Sequence, residues 1–305
     1  MAYALRRPPD GKKTGDFKIM KKILVFISAS FLIFSSCNEK SSKRAFAQTS
    51  QKFSDSQNIS KKSEIPDENP EIEKLGKVLS SMSQKCKDAI PNGNPEEFLA
   101  DLHRVLESEK NFSSEDLSPF YLIDKTHNVG ADYEPKNLIH LEKNSLFAIN
   151  KNTLSLRPES YEALKTLAQA AKNDGVTLTV SSSYRSYEYQ KNLFAYWVKV
   201  DGLEEAERES AREGTSQHQL GMAIDFAPVD DAFAETVPGQ WVYKNAAKYG
   251  WSLSFPHGYE DVTGYRWESW HFRYIGVEAC EFQKKWFSDV QQFMMEFLSA
   301  WKQGE

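Results

Sequence analysis

The chain has 305 residues and a mass of 34.9 kDa, with 40% hydrophobic, 13% aromatic and 27% charged side chains. These values exclude a wholly disordered or collagen-like chain and allow a sizeable core. The formal charge is −5, but residues 1–36 hold seven Lys/Arg against Asp10 and Asp16, which leaves −10 for residues 37–305. An acidic body is a poor partner for phosphate backbones, so no nucleic-acid binding is expected, and a single short apolar stretch excludes a polytopic membrane protein.

From Met20 the chain reads MKKILVFISASFLIFSSC. Two lysines, the apolar run Ile23–Phe34 and the small pair Ser35-Ser36 form the three parts of a secretory signal. A run this short does not span ~30 Å of hydrocarbon as a permanent helix. Cys37 at its end resembles the lipidation site of a bacterial lipoprotein, with Phe34 where leucine is usual. Residues 1–36 therefore read as a signal segment, with 1–19 upstream of a start at Met20. The protein is expected to be exported and lipid-anchored to a bacterial membrane, facing the periplasm or cell wall.

Residues 37–75 read as the lipidated cysteine and a flexible tether, rich in Ser, Lys and Glu with Pro66 and Pro70. Residues 76–114 read as a helical lead-in, where Phe98, Leu102, Val105 and Leu106 keep helical spacing. Residues 115–305 then read as a mixed α+β domain. Helices are predicted over 158–173, 186–200 and 203–213, the last with a Glu204–Arg208 pair, and strands over 176–180, 222–226 and 270–275. A long final helix is predicted from about Val277 to Trp301. Its stripe of Trp286, Val290, Phe293, Met294, Phe297 and Trp301 reads as core. Cys86 and Cys280 could pair in an oxidising compartment, and no cysteine spacing suggests a zinc finger.

Two clusters carry chemistry. Ser216–Asp225 holds His218 and Asp225, and Glu268–Tyr274 holds Glu268 and His271. A catalytic zinc needs three protein ligands, an open position for water and a nearby base that is not a ligand. His218, Asp225 and His271 can supply the ligands, and Glu268 the base. Gly221 would let the chain turn between the first ligand and the strand carrying the second. Residues three apart on a strand face opposite sides, so Glu268 and His271 can share a site only if Glu268 lies in the turn before the strand. His103, His127, His140 and His257 read as surface or locally hydrogen-bonded.

In order along the chain, SxHxxGxAxDF (Ser216–Phe226) and TGY…ExWHxRYIG (Thr263–Gly276) resemble the VanY-type D-alanyl-D-alanine carboxypeptidases. These belong to a zinc peptidase group that includes the VanX dipeptidases and the hedgehog domain. The segment Ser183–Gln190 is similar to the family's YRSxxxQ, and Asp132–Leu138 to its Y-x-P-x-x-L entry. Ser269 departs from the proline usual before the Trp-His pair. The resemblance spans roughly 120–276 and implies a small antiparallel sheet flanked by helices with a single zinc site. It implies one Zn2+ on His218, Asp225 and His271, with Glu268 as general base and acid. It further implies that Arg185 holds the substrate near the scissile carbonyl, and that Gln190, Ser216 and Ser183 bind its terminal carboxylate or neighbouring peptide.

The expected function is release of the terminal D-alanine from peptidoglycan stem peptides by a monomer. The alternatives are an L,D-carboxypeptidase acting on tetrapeptide stems and a zinc-containing cell-wall binding lipoprotein without turnover.

Overall fold

A computed structural model describes residues 69–304. These fall within one unit, Ser56–Glu305; the other, Met1–Asp55, lies outside the described residues. The signal segment, Cys37 and residues 38–68 of the expected tether lie outside them too.

The first helix, α1 (Pro70–Ser81), begins ahead of the expected border at 76. The Asn69 side chain accepts from the Glu71 N–H at 3.0 Å, Pro70 fills the first helical position, and Glu71 and Glu73 sit in the first turn. Residues 70–75 thus belong to a helix whose Leu75 and Val78 are buried, not to a tether. After a short α2 (Gln84–Ala89), α3 (Pro95–Ser108) repeats the Asn-Pro-Glu start and buries Phe98, Leu99, Leu102 and Val105.

Strands β1 (Ile139–His140) and β3 (Ser155–Leu156) pair in a small antiparallel ladder. The main sheet has the order β2-β4-β5-β7-β6, from Phe147–Ile149, Leu178–Ser182, Ala223–Phe226, His271–Tyr274 and Trp251–Leu253 respectively. All its pairs are antiparallel except the edge pair β2–β4, which runs parallel. The exception follows from the connection: β2 reaches β4 only after β3 and the helix α4 (Pro158–Asn173), and a parallel pair requires such a crossover.

On β5 and β7 side chains alternate between two buried faces. Ile224, Phe226 and Phe272 join Leu164, Leu167 and Ala168 of α4 in one core. Asp225 and His271 point the other way and stand directly opposite each other, with Ser182 of β4 opposite Asp225. A register shift between Val180 and Ser182 bends β4 at this point. The site therefore occupies the end of the three central strands.

Beyond β4 come α5 (Tyr187–Asp201) and α6 (Leu203–Glu209), which is shorter than expected. Arg208 pairs with Glu205 and Glu260 rather than with Glu204. Helix α7 (Val237–Asn245) buries Val242 in the same core as Ile224, and the short α8 (Glu260–Thr263) packs Val262 against the core around Phe98.

The expected single C-terminal helix is two, α9 (Val277–Trp286) and α10 (Gln291–Gln303). Ser288 and Asp289 between them adopt left-handed backbone, φ 50° and 61°, and the Gln283 amide donates to Asp289 O and Oδ1 at 3.1 and 2.9 Å. The break does not disturb the predicted stripe, since it lets both helices turn their apolar faces into one core. That core joins Phe98 of α3 edge-on to Phe282 and Phe297, with ring centroids 5.1 and 5.2 Å apart. Cys86 and Cys280 are buried in it, both as free thiols.

Candidate metal centre

His218 sits in a 3-10 turn, Gln217–Leu220, between Ser216 and Gly221. Ser216 Oγ accepts from the His218 N–H at 3.3 Å and caps the turn. Gly221 ends it in a left-handed conformation, φ 69°, where a Cβ would lie 3.1–3.2 Å from side-chain atoms of Leu138, Arg157 and Pro135. Only glycine fits this corner, which leads straight into β5 and Asp225.

Glu268 lies before β7, as the spacing required: the chain turns through Ser269-Trp270 and the His271 N–H donates to the Glu268 carbonyl at 3.3 Å. The Glu268 N–H is tied in turn to the Phe255 carbonyl at 3.1 Å.

His218, Asp225 and His271 are all buried and offer ligand atoms within 4.8 Å of one another. The Nδ1–H of His218 donates to the Ser183 carbonyl at 2.7 Å, which leaves Nε2 bare. That nitrogen is buried, has no hydrogen-bond partner among the described residues, and lies 3.3 Å from Asp225 Oδ2. His271 faces oxygen from both ring nitrogens, Asp225 Oδ1 at 2.9 Å from Nδ1 and Gln217 Oε1 at 3.2 Å from Nε2. A neutral ring has one N–H and can serve one of them.

Two imidazoles thus aim at one carboxylate, with fewer protons than acceptors between them. A divalent zinc fits this donor set, because nitrogen and carboxylate oxygen are its ordinary ligands and a cation supplies the missing positive charge.

The electrostatics agree. Burial, and then the Arg185 guanidinium, push the His218 ring down to about 4, so it is neutral and ready to ligate at pH 7. Burial alone would raise Asp225, but His218, His271 and Arg185 together hold it well below the usual carboxylate range. Glu268 behaves oppositely: burial first, and then the Asp225 charge, push it well above the usual range. Its Oε2 lies 3.8 Å from His271 Nδ1. One carboxylate is kept ionised and its neighbour is poised to exchange a proton.

The remaining expected residues surround this group. Arg185 donates from Nη2 to Asp225 Oδ2 at 2.9 Å, from Nη1 to Gln190 Oε1 at 2.9 Å and from Nε to Ser182 Oγ at 3.1 Å. Its side chain keeps 16% exposure, so an incoming anion can reach it. Gln190, on α5, is fully buried and also donates to the Ala211 carbonyl at 2.7 Å. The Ser183 hydroxyl accepts from the Ser155 N–H at 2.8 Å, while its carbonyl orients His218. The other four histidines stand apart: His103 meets Glu71 and His127 meets Asp124 on the surface.

One residue against the trio had no signal of its own in the sequence. Gln217, inside the first motif between Ser216 and His218, turns its side chain under His271.

The sequence profile of the VanY family, described as D-alanyl-D-alanine carboxypeptidase, matches residues 153–277. The chain is 36% identical over 166 residues to a presumed carboxypeptidase, YodJ of Bacillus subtilis (strain 168), covering 52% of this chain and 61% of that protein. It is 29% identical over 195 residues to a D-alanyl-D-alanine carboxypeptidase of Enterococcus faecalis (strain ATCC 700802 / V583), covering 61% and 67%. Among solved structures, the LdcB LD-carboxypeptidase superposes with a TM-score of 0.50 at 33% identity, covering 58% of this chain and 84% of that one.

Proposed function

As the chain belongs to the VanY family of D-alanyl-D-alanine carboxypeptidases, we propose that it is a zinc carboxypeptidase that removes the C-terminal D-alanine from peptidoglycan stem peptides. The observation that carries the reading is the buried trio with the bare Nε2 of His218 turned toward Asp225, beside a second, proton-exchanging carboxylate, Glu268. A structural metal site has no need of that carboxylate.

His218, Asp225 and His271 would hold one zinc ion. When bound, such an ion acidifies water to a pKa of ~7 and polarises a carbonyl. The protein does the rest. Glu268, ionised, takes a proton from the attacking water and delivers it to the departing D-alanine amine. Its raised affinity for protons suits both halves of that exchange. Arg185 offers a planar fork of donors, braced by Gln190 and Ser182, to the substrate carboxylate or to the oxyanion that develops. By the same resemblance, Ser216 and Ser183 would bind the terminal carboxylate or its neighbouring peptide.

A second reading, removal of D-alanine from tetrapeptide stems, is supported by the likeness to LdcB. Incubating the zinc-loaded protein with defined pentapeptide and tetrapeptide muropeptides, followed by mass spectrometry, separates the two. Loss of one alanine from the pentapeptide, abolished by chelation, is expected. Cleavage of the tetrapeptide alone would move the assignment to the L,D reaction, and no cleavage of either would refute the catalytic reading.

The substrate lies outside the cytoplasmic membrane, and the signal-like segment ending at Cys37 supports export and lipid anchoring. Fractionation of cells expressing the full chain tests this. The parent is expected with membranes and Cys37→Ala in the soluble fraction; an unchanged distribution would remove the anchor from the proposal.

A further inference from the structure

The metal trio rests on a layer of buried amides that reaches outside the family match. Gln217 Oε1 lies 3.2 Å from His271 Nε2 and accepts from Ser254 Oγ at 2.7 Å. Gln217 Nε2 donates to Oε1 of Gln291 at 3.2 Å, and Gln291 Nε2 approaches the Ser252 carbonyl at 3.5 Å. Gln217, Ser254 and Gln291 are 8%, 2% and 1% exposed, so water does not substitute for these partners. Gln291 opens α10, beyond residue 277 where the profile match ends.

The Ser254 hydroxyl lies 2.7 Å from Gln217 Oε1 and 3.3 Å from Gln291 Oε1; donation over the shorter distance, with the Gln217 Nε2–H bond to Gln291, sets the Gln217 amide with its oxygen toward His271. An amide oxygen only accepts, so it favours the His271 tautomer that carries its hydrogen on Nε2. Its Nδ1 is then bare and faces Asp225. Without that oxygen the ring would place its one hydrogen on Nδ1, against the stronger Asp225 acceptor, where it would stand in the way of a metal ion.

We propose that Gln217 and Gln291 are positioning residues for the metal centre, holding His271 in the tautomer that can ligate, so that the C-terminal helical segment is part of the site rather than an appendage. The inference rests on the zinc reading above. Hydrogen-bond partners of ligating histidines are typically worth 10–100-fold in metal affinity.

The test uses the full chain with Gln217→Met, Gln291→Met, Gln217→Glu and Gln283→Met. Zinc affinity is measured by competition with a chromophoric chelator, and ligand geometry by the visible spectrum of the cobalt(II)-loaded protein. Gln217→Met and Gln291→Met are each expected to bind zinc about 10–100-fold more weakly and to shift the cobalt bands. Gln217→Glu keeps an acceptor before His271 and is expected to restore both.

Gln283→Met serves as the control for packing. Gln283 is equally buried in the same helical segment, but it bonds to Ser252 Oγ and Asp289, not to His271. It is expected to lower the melting temperature and to leave the spectrum alone. Parent-like affinity and spectrum in Gln291→Met would overturn the proposal with the zinc reading intact; if that variant fails to fold, the same result in Gln217→Met overturns it. A parent that binds neither metal would overturn the zinc reading itself.

Discussion

Glu268→Gln is expected to reduce turnover of the preferred stem peptide by about 10²–10⁴-fold, the usual worth of a positioned general base. The loss corresponds to about 3–5 kcal/mol of transition-state stabilisation. Zinc content should be unchanged, because Glu268 stands outside the trio that offers ligand atoms.

Stability should not fall with it. The folded state holds the Glu268 proton more tightly than the unfolded chain does, so stability is lost as pH rises from the ordinary glutamate range through the raised value. At neutral pH the ionised group is a burden that an amide of the same shape lacks. Turnover by mass spectrometry, metal analysis and a melting curve check the three statements. The acid limb of the parent's pH–rate profile should accordingly lie above the ordinary carboxylate range. A variant that keeps more than a tenth of parental turnover would remove Glu268 from the mechanism.

His218→Ala is expected to weaken zinc binding by at least about 10²-fold and to abolish turnover at ordinary metal concentrations. Zinc sites with four protein ligands are worth about 10–16 kcal/mol, or roughly 3 kcal/mol for each ligand. No neighbour can replace it, since the Ser183 carbonyl that orients the ring meets its other nitrogen. Chelator competition gives the affinity directly, and parent-like zinc binding would exclude His218 as a ligand.

The metal-free parent offers a complementary reading. With its ring held near 4 against 6.5 in the unfolded chain, the folded protein binds fewer protons there than the unfolded one. Its melting temperature should therefore fall as pH drops from about 6.5 toward 4.

The three candidate ligands were legible because each stands in a short, rigid piece of chain. Gly221 corners the turn after His218, and the apolar residues around Asp225 alternate as a buried strand must. The turn holding Glu268 could be argued from strand period alone. What joined these pieces was not legible, because pairing between Asp225 and His271 is a contact between residues far apart in sequence. The two-residue strands β1 and β3 are too short to leave a pattern.

The break in the last helix was hidden for a local reason. Ser288 and Asp289 are not the glycine that normally marks left-handed backbone, and the apolar stripe runs through them unbroken in spacing. The start of α1 was written plainly as Asn69-Pro70-Glu71, but the Ser- and Lys-rich composition around it masked the signal. Gln291 had no pattern at all, since its partner is a side chain 74 residues away in the sequence.

The aromatic core around Phe98 is assembled from both flanks of the family match, α1 to α3 ahead of it and α9 and α10 behind. Inside the match Ile275 joins this core, with Ala247, Tyr259 and Val262 packed against it. A gene trimmed to the borders of the match would lose most of these side chains, and trimming one flank would uncover the other. The same holds for a protease working inward from the N-terminal side: once α3 is gone, the helix that begins with Gln291 loses its footing. Shedding the first helices would thus reach the candidate metal centre from a distance, without a cut anywhere near the histidines.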